Sequence, residues 1–149
     1  MELEWTTNSF DELTASELYT ILRLRNEVFV VEQNCVYQDA DDKDETSYHI
    51  CGWMDTILVA YCRVLPPGTS YDESSIGRVV TAQAFRNTGS GRQLMERAIE
   101  FTLGHFSCKK ITISAQLYLE KFYGSLGFVK ISAPYLEDNI PHIKMQLSV

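Results

Sequence analysis

A chain of 149 residues suits one domain with a sizeable core, and 45% hydrophobic with 22% charged residues is an ordinary globular balance. The formal net charge of -7 argues against a general nucleic-acid binder, which needs a basic footprint. It leaves room for one anionic ligand held by a local cluster of donors, and it favours a cationic substrate.

Residues 3–7 (LEWTT) read as a first strand. Thr14 and Glu17 then form the ends of a capping box. Behind them Leu18, Ile21, Leu22, Arg25, Val28 and Phe29 recur at helical spacing, which predicts a first helix running into residues 29–33. Residues 38–46 carry Asp39, Asp41, Asp42, Asp44 and Glu45. Such a run reads first as a solvated surface loop and second as a surface that guides a cationic amine. Its pattern is not that of an EF-hand, because Lys43 stands where the third ligand belongs.

Two apolar runs flank Asp55 and Thr56, a tight hairpin connection. After a turn-rich loop, IGRVV (residues 76–80) reads as a third long strand, and GRQLMERAIEFTLGHF as an amphipathic helix. KKITISA is an alternating, β-branched strand. LYLEKFYGSLGF is a short helix ending at Gly124 or Gly127. VKISAPYL and HIKMQLSV complete the sheet as two strands. The order is β α β β β α β α β β. The β–turn–α–β unit over residues 76–115 implies a parallel pair with a helical crossover, inside a mixed α/β sheet flanked by helices.

Cys35, Cys51, Cys62 and Cys108 form no C-x-x-C pair and have no matching histidine cluster, so reduced, largely buried thiols are expected and no metal site. The first ten residues lack the basic and apolar regions of a signal peptide, and no apolar run approaches the ~20 residues of a membrane span. A cytoplasmic protein is the expectation, with no membrane or nucleic-acid partner.

The turn before the second helix holds most of the chemistry. Gly89 and Gly91 are separated by one residue, and Arg86 and Arg92 bracket them. Leu94 stands where a dinucleotide fingerprint needs a third glycine, and the lysine of a P-loop is missing. The physical parts of an anion site are still present. Amides at a helix N-terminus carry partial positive charge, glycine admits close approach, and arginines add charge-assisted hydrogen bonds. Spacing alone also allows a turn whose glycines serve geometry only.

Arg86-Asn-Thr-Gly89-Ser-Gly91 resembles the R-x-x-G-x-G/A signature of the GNAT acetyltransferases, and FYGSLGF (residues 122–128) resembles that family's F-Y-x-x-x-G-F element. LRNEVFVVEQNCVY, the acidic loop with His49, IGRVV and YLEDNIPHIKM extend the resemblance over the whole chain, towards the ElaA-like branch. Two residues depart from the pattern, Asn87 and Asn139, each standing where a glycine is expected. Asparagine tolerates left-handed backbone better than other non-glycine residues.

The resemblance implies a GNAT fold whose central mixed sheet is splayed between the strands near Val79 and Thr112, with acetyl-CoA in the opening. It implies that Arg86, Asn87, Thr88, Gly89, Ser90, Gly91 and Arg92 hold the pyrophosphate. The backbone of Val79, Val80 and Thr81 would bond the pantetheine arm, and an amide near Val80 or Thr81 would polarise the thioester carbonyl. Tyr123 matches the tyrosine that protonates the leaving thiolate; its alternative is a packing role. For the base, Glu32 at the end of the first helix is the leading choice, with Glu137, Asp138, His49 and His142 open beside it. A covalent route through Cys51 or Cys35 has no local support. The implied activity is acetyl transfer to an amine, a small primary amine first. A non-catalytic acyl-CoA-binding module and a bare interaction scaffold are the alternatives, and a homodimer is left open.

Overall fold

The computed structural model describes residues 2–149. Strand β1 (Glu4–Ser9) leads to helix α1 (Ala15–Arg25). The capping box is formed as expected: Thr14 Oγ1 accepts from the Glu17 amide, and the Glu17 carboxylate accepts from the Thr14 amide. The helix does not run on as α-helix to residue 33. From Asn26 to Glu32 it widens into a π-helical stretch. Such widening re-aims side chains and often marks functional segments; here it delivers Val28, Glu32 and Gln33 to a cleft.

Strands β2 (Tyr48–Met54), β3 (Ile57–Leu65) and β4 (Ser75–Thr81) follow β1 as an antiparallel meander in the order β1-β2-β3-β4. The expected tight connection is present at Asp55, whose φ is +54°. Helix α2 (Ser90–His105) crosses to β5 (Lys110–Gln116). The short helix α3 (Glu120–Gly124) precedes β6 (Val129–Lys130), β7 (Tyr135–Glu137) and β8 (Ile140–Ser148). A second sheet has the order β5-β8-β6, with β7 also pairing to β8.

The stretch expected as one strand over VKISAPYL is therefore two short ones. Between them Pro134 has no amide to give to a ladder, and the Ser132 hydroxyl accepts from the Lys144 amide in place of a backbone partner.

The expected parallel pair between β4 and β5 is reduced to one bridge. Ser74 pairs with Ile111, and the Thr112 amide donates to the Ser74 carbonyl at 3.0 Å. Beyond it the strands diverge, so the central sheet is split where the family resemblance implied an opening. A bulge sharpens the divergence. The β3–β4 register slips between Tyr61 and Arg63, and Arg78 sits in the left-handed region at φ +51°. An extra residue on one strand of a pair bends it and increases its twist.

Two apolar clusters form the core, and the first of them holds the halves together. One joins α2 and α3 to both sheets through Leu94, Met95, Ala98, Ile111, Ile113, Tyr123 and Phe128. The other packs α1 on the opposite face through Ile21, Leu24, Val28, Tyr61 and Val80. Cys35, Cys51 and Cys62 are buried free thiols, and Cys108 is half-buried. Burial pushes the Cys51 thiol up to about 12, which makes it a poor nucleophile. No helix among the described residues is long and apolar enough to cross a membrane.

Candidate active site

The split between β4 and β5 opens into a cleft of about 950 Å³. It extends from the glycine turn, past Tyr123, to a polar region lined by Ser114, Glu137 and His142. Each part follows from local structure.

At one mouth the turn ends in Gly89, with φ +84° and ψ 0°, and α2 starts at the next residue. No neighbouring atom lies within 4 Å of a built Cβ at Gly89, so conformation rather than crowding selects glycine there. The first amides of α2 have no carbonyl one turn earlier to bond and face outward. Thr88 Oγ1 donates to the Phe85 carbonyl at 2.6 Å and contacts Ser90 Oγ at 2.9 Å, which braces the turn. Asn87 has φ +64° and Asn139 φ +63°. Both asparagines thus occupy the left-handed conformation that a glycine would serve.

The two arginines have different partners. Arg92 donates to Ser125 Oγ at 3.0 Å, joining the turn to the end of α3, two residues after Tyr123. Arg86 forms a fork with Glu32 at 2.5 and 2.8 Å. The Arg86 hydrogen bond holds the Glu32 carboxyl below its usual range. Both side chains are more than a third exposed, so this pair is weak and exchangeable. Glu32 does reach the cleft, but in this arrangement it is a weakened proton acceptor.

Next to this turn, β4 ends its sheet, so its edge towards the cleft has backbone groups without a strand partner beyond the Ser74 bridge. Val79, Val80 and Thr81 lie on that edge and line the cleft. Tyr123 enters from α3. Its ring is 5% exposed and packs edge-on against Phe122 and Phe128. Burial pushes its phenol well above the usual range, and no hydrogen bond contributes, so it is fully protonated at neutral pH.

The acidic loop departs most from expectation. Asp42 and Glu45 are exposed, but Asp39, Asp41 and Asp44 turn inward and face three arginines. Arg25, 0% exposed, donates to Asp39 at 2.8 Å and Asp44 at 2.7 Å. Arg63 donates to Asp41 and Asp44, and Arg78 to Asp39. Burial acts to raise the Asp41 and Asp44 carboxyls, but hydrogen bonds and charge attraction from the facing arginines together outweigh it and hold both below the usual range. The solvated-loop reading is corrected: three of the five acidic residues are the counter-charge of buried guanidiniums. The sequence did carry the signal, since Arg25 falls among the apolar positions of α1 and Arg63 within a hydrophobic strand.

His49 is also removed from the cleft. It is fully buried, its Nδ1 is 2.7 Å from the Tyr61 hydroxyl and its Nε2 2.9 Å from the Asp44 carbonyl. Burial lowers its pKa. It ties the acidic loop to β3 and does not meet a substrate. Asp138 lies on the exposed β7–β8 turn with φ +51°.

An edge of unpaired amides leading to a helix N-terminus flanked by arginines offers the donors that an elongated ligand with a diphosphate would need. The donor set fits coenzyme A, with strand-like hydrogen bonds for the pantetheine arm and amides with guanidinium groups for the pyrophosphate.

Comparison with known proteins gives the family. The acetyltransferase (GNAT) domain model matches residues 12–149. Protein ElaA of Escherichia coli is 43% identical over 149 residues, 99% of this chain and 97% of that protein. The crystal structure of an acyl-CoA N-acyltransferase from Pseudomonas aeruginosa is 44% identical with a TM-score of 0.94, covering 99% of this chain and 100% of that one. The crystal structure of E. coli ElaA gives 42% and 0.92, with 98% and 99% covered. The chain belongs to the GNAT acetyltransferase family and has the acyl-CoA N-acyltransferase fold.

Proposed function

We propose that this protein transfers an acetyl group from acetyl-CoA to a small primary amine by direct attack of the amine on the thioester. The observation that carries the reading is the unpaired β4 edge running into the N-terminus of α2, with Tyr123 beside it in one continuous cleft. Bound acetyl-CoA supplies a thioester whose carbonyl carbon accepts a nitrogen lone pair.

The chain's own residues do the rest. The turn at 86–92 and the edge at Val79, Val80 and Thr81 hold the coenzyme along its length. An amide near Val80 or Thr81 donates to the carbonyl oxygen as charge grows there. Tyr123 gives its proton to the departing sulfur. A phenol (ordinary pKa ~10) is no stronger an acid than a thiol (~8.5), so its value lies in placement within hydrogen-bond reach. Arg86 changes partner, from the Glu32 carboxylate to the diphosphate. The acceptor enters from the side where Ser114, Glu137 and His142 stand, a wall polar enough for an ammonium and bounded by the neutralised arginine–aspartate layer.

A thiol-release assay over a library of primary amines tests this. Release of free CoA from acetyl-CoA with at least one amine is expected. Thermal stabilisation by acetyl-CoA without release from any amine would return the protein to the acyl-CoA-binding module.

A further inference from the structure

Resting on that reading, we infer that His142, backed by Glu137, is the base that takes the proton from the acceptor ammonium. The geometry begins in the sheet. Successive side chains on a strand point to opposite faces. On β5, Ile113 and Ala115 therefore face the cluster that holds Tyr123, while Ser114 and Gln116 face the other way. Gln116 is opposite His142 in the β5–β8 register, so His142 stands on the face away from Tyr123. The proton donor for sulfur and the acceptor for the ammonium are thus separated by the opened sheet, and neither quenches the other.

The imidazole is fixed in one tautomer. Nδ1 lies 2.7 Å from the Ile140 carbonyl, which only accepts, so Nδ1 carries the hydrogen. Nε2 then has its lone pair free. It is 3.5 Å from Glu137 Oε2. In the neutral ring that lone pair faces a carboxylate and gains nothing; a proton on Nε2 turns the contact into a charge-assisted one. The ring stacks on Tyr135, whose hydroxyl is 2.6 Å from Ser114 Oγ, and Ser114 Oγ donates to Glu137 Oε1 at 3.2 Å. The carboxylate is therefore held in place from its second oxygen.

Of the other carboxylates on the cleft wall, Asp41 is paired with Arg63, Glu32 stands beside Arg86 at the glycine-turn end, and Asp138 lies on the exposed turn. The titratable and charged groups around His142 are Glu137 and Tyr135 of β7, Asp138 of the turn, Tyr71 of the β3–β4 loop, Cys35 after α1 and Lys144 of its own strand. Lys144 stands over the Tyr71 ring, 5.1 Å from its centroid.

The proton account closes. One N–H bond of the ammonium breaks, an Nε2–H bond forms, and the nitrogen keeps the electron pair that attacks the carbonyl carbon. As the C–S bond breaks, sulfur takes the Tyr123 proton. The new amide nitrogen sheds its second proton, which restores the phenol. His142 passes its proton by way of half-exposed Glu137 to water. Ammonium and thioester thus give amide, thiol and one released proton.

The test compares wild type with His142→Asn and Glu137→Gln, using the amine that gives fastest release from a panel of amino acids, polyamines, aminosugars and arylalkylamines. Asparagine still reaches the Ile140 carbonyl, so the strand end is kept. Expected for His142→Asn are unchanged acetyl-CoA affinity and a fall of about 100-fold or more in kcat/KM at pH 7. Its log kcat/KM should rise with slope one up to the pKa of the amine itself, where wild type has already levelled off. Glu137→Gln should fall about tenfold, as a positioning residue. Nitrogen-15 NMR of the wild-type imidazole should show the neutral ring protonated on Nδ1. An active wild type with His142→Asn matching its rate and pH profile, or a ring protonated on Nε2, overturns the assignment and leaves the acyl-transfer reading intact. Wild type inactive with every amine overturns both.

Discussion

Replacing Arg25 by methionine is the sharpest test of the arginine–aspartate layer. Arg25 is fully buried, and its guanidinium donates to Asp39 and Asp44 at 2.7–2.8 Å. Breaking a buried pair by deleting one partner costs about 3–5 kcal/mol, because the remaining charge is left buried. Here Asp39 keeps Arg78 and Asp44 keeps Arg63, so neither carboxylate is stranded. Three arginines facing three aspartates become two facing three. The cost should therefore fall at the lower end, about 3 kcal/mol. For a chain of this length that lowers Tm by about 6–12 °C. Arg25→Lys keeps the charge but loses the fork, and about 1–2 kcal/mol is expected. Urea denaturation at pH 7 measures both, as a lower midpoint at constant slope. Arg25→Met within about 0.5 kcal/mol of wild type would show that attraction and desolvation cancel, and that other contacts hold the acidic loop.

Three further outcomes follow from the site. Glu32→Gln frees Arg86 from an exposed fork worth up to about 1 kcal/mol, so acetyl-CoA should bind up to about fivefold tighter by calorimetry; weaker binding would mean that Glu32 positions Arg86 for the diphosphate. Tyr123→Phe should lower kcat about 100-fold with acetyl-CoA affinity nearly unchanged; lost affinity at constant turnover of the bound complex would make the phenol a packing group. Acid should loosen the loop. The Asp41 and Asp44 carboxyls lie below their unfolded value of ~3.9, so their stabilisation is full above that pH and lost as pH falls through the folded values. Tm should be flat above about pH 5 and drop steeply below about pH 4, and a Tm still flat to pH 2 would refute the linkage.

Much of the site was legible in the sequence because it depends on local rules. Gly89 marks a left-handed N-cap and the capping box at Thr14 and Glu17 marks a helix start, while the F-Y element singles out Tyr123 only through the family resemblance. The residues that escaped depend on distance in space. Nothing local says that Asp39 meets Arg25 and Arg78, or that Arg86 and Glu32, 54 positions apart, form a fork. The π-helical stretch was equally hidden, since helical spacing of apolar residues is the same for either winding over one or two turns. The split of the last strands at Pro134 could have been read, because a proline in the middle of an apolar run demotes it.

The two half-sheets meet at a single bridge, Ser74 with Ile111. From there to Thr81, β4 presents a bare margin that a pantetheine chain can complete as a strand would. On the proposed reading a bound nucleotide would be part of the architecture as well as a reagent, because the two plates are otherwise joined at one corner and by the helices behind them. Hydrogen exchange along residues 75–81 would report how far the metabolite, rather than the polypeptide, finishes this sheet.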